Sequence, residues 1–296
     1  MHTSRSGKPR VVITTGDPSG IGPEVTQKAL ASPKVKRLAD FLVIGDAKTS
    51  VSSRKSPGIC GKLSMQYLDK ALRIIAKGEA DCLVTAPINK ANVRAAGFED
   101  FEGHTEYLAK ETLTEDYAMM FVGKRVKITL VTRHIALKDV PAKLTADKIY
   151  RHIRLTHRYL SDHFHLKDPK IAVAGLNPHA GEGGIFGREE ITVISPAIKK
   201  ASLSCGKVSG PFPPDVVFGD ALSGKFDVVI AMYHDQGLIP FKLLHFKDGV
   251  NMTIGLPFVR TSPDHGTAFD IAGKGIADPT SMTEAIILAC RLAHHS

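Results

Sequence analysis

Short apolar runs recur along this chain, each too brief for a helix, most of them rich in β-branched residues. They lie at residues 10–15, 41–44, 80–85, 126–132, 171–176 and 228–232. Each reads as a buried strand. Between them lie stretches with helical spacing, at residues 25–30, 65–76, 145–163 and 189–201, the last bent by Pro196. In the second of these, Leu68, Leu72 and Ile75 share one face. A further helix is expected at residues 281–293. Strands that alternate with helices imply parallel βαβ units and a sheet covered on both faces, so the fold class is α/β. The 296 residues suffice for two lobes.

Three of these runs end in a histidine. Residues 126–132 lead to Arg133-His134. Residues 171–176 lead to Asn177-Pro178-His179-Ala180-Gly181-Glu182. Residues 228–232 break into a loop, Tyr233-His234-Asp235-Gln236-Gly237, with Lys242 shortly after. Side chains just past the carboxyl end of a parallel strand face the ligand crevice. If the three strands are neighbours, His134, His179 and His234 converge, and three imidazoles with open positions make a catalytic divalent-metal site. The spacing matches no compact metal motif, and in a chain with 13 histidines some follow strands by chance. Asp215 and Asp235 are carboxylates that could orient such imidazoles, or simply solvated turn residues.

Other segments carry weaker signals. Residues 16–24, Gly-Asp-Pro-Ser-Gly-Ile-Gly-Pro-Glu, join a strand to a helix but are neither a dinucleotide fingerprint nor a Walker A loop. They are a ligand loop or merely a tight turn. His104-Thr105 opens a helix at residues 106–112, where the pair could contact an anion or Thr105 could simply cap. Gly123-Lys124 reads as a hairpin turn between strands at 118–122 and 126–132. Residues 49–61 read as a surface loop, 208–214 as extended, 218–222 as a short element, and 246–254 as a turn and strand. Arg260 ends the next strand, and 264–275 form a glycine-punctuated loop open to a flat ring. His152, His157, His163 and His165 are expected on a solvated face, and His294 and His295 in a tail.

The formal charge of +9 raises nucleic-acid binding. Basic and acidic residues are interleaved, however, there is no Trp, and no recognition-helix or aromatic-strand pattern occurs. A small anionic substrate suits the charge better. No apolar run reaches membrane-spanning length, and residues 1–10 lack the apolar core of a secretory signal, so no membrane partner is expected. Cys60, Cys82, Cys205 and Cys290 are scattered without a Cys-x-x-Cys pair, as suits a reduced cytoplasm.

Taken together, Gly-Asp-Pro-Ser-Gly-Ile-Gly-Pro-Glu, Thr-Ala-Pro-Ile-Asn-Lys, Gly-His-Thr-Glu, Leu-Asn-Pro-His-Ala-Gly-Glu and Tyr-His-Asp-Gln-Gly resemble the 4-hydroxythreonine-4-phosphate dehydrogenases of pyridoxal phosphate biosynthesis. The phrases stand in the family's order and cover almost the whole chain. The closing His-Gly-Thr-Ala-Phe-Asp-Ile-Ala-Gly-Lys-Gly is similar to the NAD loop of the wider isocitrate and isopropylmalate dehydrogenase superfamily.

The resemblance implies a two-lobed α/β/α fold with mostly parallel sheets and an active-site cleft between lobes. One lobe would comprise residues 1–103 plus 250–296 with the dinucleotide loop, the other 104–249 with the metal ligands and dimer interface. It implies one divalent metal (Zn, Mg or Co) on His134, His179 and His234, the third coming from the partner in a homodimer with a shared active site. It implies substrate contacts at His104, Thr105, Lys242, Asn251 and Arg260, and NAD or NADP near His265, Gly266, Ala268 and Asp270. His104 or Lys242 would accept the substrate's hydroxyl proton. The substrate would be a small phosphorylated hydroxy acid: 4-phosphooxy-threonine, oxidised at C3 and decarboxylated, or else 4-phospho-threonate or 4-phospho-erythronate. The loop between Gly45 and Leu63 looks shorter than in typical members. A metal-dependent hydrolase or lyase without dinucleotide would use the same histidines and leave the 264–275 loop without a role.

Overall fold

The computed structural model describes residues 7–45 and 56–293. In chain order the elements are β1 (Arg10–Thr14), α1 (Gly22–Ala31), β2 (Asp40–Ile44), α2 (Pro57–Ala76), β3 (Cys82–Thr85), α3 (Lys90–Ala95) and α4 (His104–Glu111). Then come β4 (Ala118–Val122), β5 (Lys127–Leu130), α5 (Val140–Lys143), α6 (Ala146–Phe164), β6 (Ile171–Ala174), α7 (Ser195–Ser202) and β7 (Val208–Phe212). The chain closes with α8 (Pro214–Leu222), β8 (Val228–Ala231), α9 (His234–His245), β9 (Val250–Ile254), β10 (Val259–Pro263) and α10 (Thr280–Ala293). The chain divides into two compact units, residues 1–113 with 256–296, and residues 114–255.

In the first unit the strands run β2-β1-β3-β10, all parallel. Every residue of β3 is buried, as expected of a strand covered on both faces. In the second unit the order is β9-β4-β5-β8-β6-β7. Here β9, β4 and β5 pair antiparallel, and β5, β8, β6 and β7 pair parallel. The expected hairpin forms: the Gly123 N–H bonds the Val126 carbonyl at 2.9 Å.

Several local expectations are corrected. Residues 233–237 are not a loop; α9 begins at His234 and continues through Pro240. Leu238 and Phe241 are buried in the core cluster with Ile128, Leu130 and Val229, and that packing outweighs the hydrogen bond the proline removes. Gly237 makes the fit possible, since a Cβ there would fall 2.8 Å from Leu130 Cδ2 and 2.9 Å from Ile128 Cγ2. Arg260 does not end a strand; it is the second residue of β10. The short element at 218–222 is the end of α8, which starts at Pro214. Pro196 does not bend one long helix but sits in the first turn of α7, after a π-helical turn at Glu190–Ile194. Of the loop expected at 49–61, residues from Pro57 on are helical, and 49–55 lie outside the described residues, as do His294 and His295.

His152 is also corrected, because α6 turns it inward rather than toward water. Its Nδ1 lies 2.8 Å from the Lys148 carbonyl, and burial pulls its pKa down to about 4. The unfolded chain takes up a proton near pH 6.5, as an ordinary histidine does, and the folded chain only near pH 4. Both states are neutral at this site above the higher value, and stability is lost as the pH falls between the two. Roughly 3 kcal/mol is expected to go on this account. Denaturant midpoints of wild type and His152→Gln across that window should converge as acid is added; parallel curves would remove His152 from the pH dependence.

Candidate active site

The three runs that end in histidine are neighbours. β8 lies between β5 and β6 with all three parallel, so their carboxyl ends share one edge. Beyond the strands the β5–β8 pairing continues: the Thr132 N–H and hydroxyl both donate to the Met232 carbonyl, at 3.1 and 2.7 Å. That register brings His134 and His234 side by side, with ring centroids 5.7 Å apart. Two imidazoles on one tetrahedral cation stand on the order of 5 Å apart between ring centres, given metal–nitrogen bonds of about 2 Å. His234 Nδ1 lies 2.7 Å from Asp235 Oδ1. A carboxylate there favours the proton on Nδ1 and leaves the lone pair on Nε2. Asp215 lies exposed in the first turn of α8 and makes no hydrogen bond or ion pair among the described residues.

His179 stands apart from this pair within one chain. Among the described residues, no three His, Cys, Asp or Glu side chains gather closely enough to hold a metal ion. The reason is local. His179 lies five residues past the end of β6, in a run of left-handed backbone from His179 (φ 52°) to Gly183 (φ 69°). Three of these five residues, His179, Ala180 and Glu182, are not glycine, and each costs about 1 kcal/mol or more. The loop is held from outside. The buried Glu190 carboxylate accepts from the N–H groups of Leu176 and Asn177, both at 2.8 Å, and from the Asn177 side chain at 3.0 Å. Burial opposes the Glu190 charge, but these bonds keep its pKa below the usual carboxylate value. Gln236 joins strand ends, accepting from the Met232 N–H at 2.6 Å and donating to the Gly175 carbonyl at 2.7 Å.

The first unit contains a buried polar cluster of a different kind. Arg260, the second residue of β10, is 2% exposed, where an ionised side chain is rare. It donates from Nη2 to the Thr85 hydroxyl at 2.5 Å, across the β10–β3 pairing. Burial pulls its pKa down to about 9, and Glu106 acts in the other direction, so the guanidinium stays charged at neutral pH. His104 begins α4. Burial, then Arg260 and Lys90, push its pKa well below the ordinary value and leave it neutral. Its Nε2 is buried and meets no hydrogen-bond partner among the described residues. A buried orphan nitrogen beside a buried cation fits a missing polar ligand. Thr105 is buried and does not cap α4; Gly103 occupies that position.

Lys242 and Asn251 lie in the second unit, half-buried on α9 and β9. Asn251 Oδ1 is buried without a hydrogen-bond partner among the described residues. His265, Gly266, Ala268 and Asp270 lie together in a segment with neither helix nor strand; Gly266 faces open space and Ala268 is left-handed at φ 42°. Sequence reasoning did not single out Thr85, Lys90, Glu106 or Glu190. Thr85 and Lys90 do lie at the two ends of Thr-Ala-Pro-Ile-Asn-Lys, which follows a strand, and that position was the available signal.

No helix among the described residues is long and apolar enough to cross a membrane. Residues 23–289 match the family described as pyridoxal phosphate biosynthetic protein PdxA. The chain is 44% identical to 4-hydroxythreonine-4-phosphate dehydrogenase of Desulfosudis oleivorans, over 95% of each chain. It is 39% identical to D-threonate 4-phosphate dehydrogenase of Pectobacterium atrosepticum, over 96% of this chain and 99% of that one. Among solved structures, 4-hydroxythreonine-4-phosphate dehydrogenase of Klebsiella pneumoniae superposes with a TM-score of 0.83 at 36% identity, covering 97% of this chain and 100% of that one. Isocitrate dehydrogenase of Methylococcus capsulatus shares the fold alone, with a TM-score of 0.51 at 17% identity over 94% of this chain and 83% of that one. The α/β fold expected from alternating strands and helices and the phrases quoted from the sequence thus have one source: the chain belongs to the PdxA family of pyridoxal phosphate biosynthetic proteins.

Proposed function

We propose that this protein is a metal-dependent, nicotinamide-linked dehydrogenase that oxidises the C3 hydroxyl of 4-phosphooxy-threonine. The resulting β-keto acid loses carbon dioxide to give 3-amino-2-oxopropyl phosphate. The observation that carries the reading is the pairing of His134 with His234 at the ends of adjacent parallel strands, in a chain of this family. His134, His179 and His234 would hold the divalent ion (Zn, Mg or Co). The third was expected from the partner, but His234 stands beside His134 within one chain, so His179 is the one a second protomer would supply. Bound there, the ion would act as a Lewis acid on the substrate's hydroxyl and carbonyl oxygens.

The protein's own groups would do the rest. Arg260 grips an oxyanion of the substrate, phosphate or carboxylate, with two parallel bonds. Lys242 and Asn251 add donors, and Thr105 a hydroxyl. His104, held neutral by burial and its cationic neighbours, accepts the hydroxyl proton at Nε2, or Lys242 does so. NAD or NADP, whose adenosine part would be held by the segment of His265, Gly266, Ala268 and Asp270, would supply the acceptor for the C3 hydride. Asp235 keeps His234 in its ligating tautomer; Asp215, exposed in the first turn of α8, would orient no imidazole within the chain.

A homodimer is part of the proposal. Ile239 and Leu243 on α9 and Phe246 at its C-cap are 61%, 82% and 75% exposed, and their spacing puts them on one stripe of the helix that starts at His234. A second copy would cover that stripe. The enzyme would work in the cytoplasm.

The test is absorbance at the reduced-nicotinamide band with 4-phosphooxy-threonine, 4-phospho-threonate and 4-phospho-erythronate in turn, each with NAD and with NADP. Turnover should appear with a divalent metal and vanish with chelator. A second reading keeps the chemistry and changes the substrate to 4-phospho-D-threonate, as the Pectobacterium relative's name suggests. Turnover indifferent to chelator, or hydrolysis without nicotinamide reduction, would overturn the reading.

A further inference from the structure

The loop from residue 264 to 275 holds neither helix nor strand, and its internal backbone bonds are long, at 3.2 Å for Ile271 to Ala268 and for Lys274 to Ile271. Yet it is tied near both ends to one short stretch of chain, residues 20–28. Near its start, the Ile21 N–H donates to the Thr267 carbonyl at 2.9 Å. The approach is so close that a Cβ on Gly20 would fall 2.9 Å from the same oxygen.

At its end, one face of α1 does what a neighbouring strand would do. The Glu24 carboxylate accepts from the N–H groups of Ala277 at 2.9 Å and Gly275 at 3.3 Å. The Lys28 ammonium donates to the carbonyls of the same two residues, at 2.8 and 2.9 Å, and to Glu24 at 2.8 Å. Residues two apart therefore offer both backbone groups to a side-chain ion pair, as an edge strand offers them to its neighbour. Three acceptors take up all three donors of the ammonium. Glutamate four residues ahead of lysine is the favourable order on a helix, and Glu24 also sits in the positive first turn of α1. Burial opposes its charge, but the bonds from Lys28, Ala277 and Gly275 hold its pKa below the usual value.

We propose that Glu24 and Lys28 are positioning residues for the dinucleotide: they hold the segment of His265, Gly266, Ala268 and Asp270 in its receiving conformation without touching the ligand. The proposal rests on the reading of that segment as the adenosine site. A loop left unheld must be ordered when the dinucleotide binds, which weakens affinity and leaves the chemistry of the bound complex unchanged.

The experiment compares full-length wild type with Glu24→Gln, Lys28→Met and Lys28→Arg. Trypsin cleavage after the exposed Lys274 reports the loop without any cofactor. It should quicken about tenfold in Glu24→Gln and Lys28→Met, with other early cuts unchanged. The dissociation constant and KM for NAD or NADP should rise about tenfold in the same two variants. The KM for phosphorylated substrate and kcat at saturating dinucleotide should stay within about twofold, and Lys28→Arg should restore most of the loss. Unchanged cleavage with unchanged dinucleotide affinity overturns the proposal, as does a fall in kcat with both KM values rising together, the mark of a general loss of structure. Faster cleavage in variants of a wild type that binds no dinucleotide would instead bring down the adenosine-site reading, and the proposal with it.

Discussion

His234→Ala is expected to lower kcat/KM by roughly 10³-fold or more, with bound divalent metal lost in proportion. The imidazole carries little of the fold. It is half-exposed at the first position of α9, which is held in place by the burial of Leu238 and Phe241. Far-ultraviolet dichroism and the denaturant midpoint should therefore match wild type. His134→Ala should behave alike, because the two rings face each other across one register of the β5–β8 pairing. Asp235→Asn keeps the size and weakens only the hold on Nδ1, so its loss should be smaller, about 10- to 100-fold in metal affinity. Elemental analysis and initial rates on the same preparations decide the matter. Wild-type turnover by His234→Ala in chelator-treated buffer would remove the pair from any role in metal binding.

The second large effect is expected at Arg260. Arg260→Ala should raise the KM for a phosphorylated substrate by about 10²-fold, the worth of a buried bidentate oxyanion contact. The KM of the dephosphorylated analogue should hardly move if the guanidinium meets the phosphate, and should move equally if it meets the carboxylate. The side chain is buried beside Thr85, so truncation leaves a cavity and unpairs the Thr85 hydroxyl. Thr85→Val tests the contact without emptying the site and should raise the same KM about tenfold, with Thr85→Ser close to wild type. If Arg260→Ala binds both compounds as wild type does, Arg260 takes no part in substrate binding.

The strands were legible because each is a short β-branched run with a sharp polar end, and the hairpin because Gly123-Lys124 interrupts two such runs. α9 was not. Gly237 and Pro240 both argue against a helix locally, and only the tertiary contact with Ile128 and Leu130 explains why one forms. The adjacency of β5, β8 and β6 was a condition the sequence could pose and could not settle, since pairing order is a long-range property. His134 and His234 meet because their strands pair in register. His179 was harder to place, since a left-handed turn has no periodicity to read. Arg260 was expected as a substrate contact from the family resemblance, whereas its burial and its bond to Thr85 depend on a residue far away in the chain. The inward turn of His152 was hidden by the basic residues around it in α6.

The left-handed stretch after β6 sets limits on what libraries can explore there. Valine, isoleucine and threonine are close to barred from positions 179–183, since a branched β-carbon collides with its own backbone in that conformation. Glycine or asparagine at Ala180 or Glu182 should be accepted and should even raise the melting temperature slightly, by relieving cost already present. Randomised variants selected for folding should therefore return a narrow alphabet across these five positions and a broad one at Ile185, where φ is again negative.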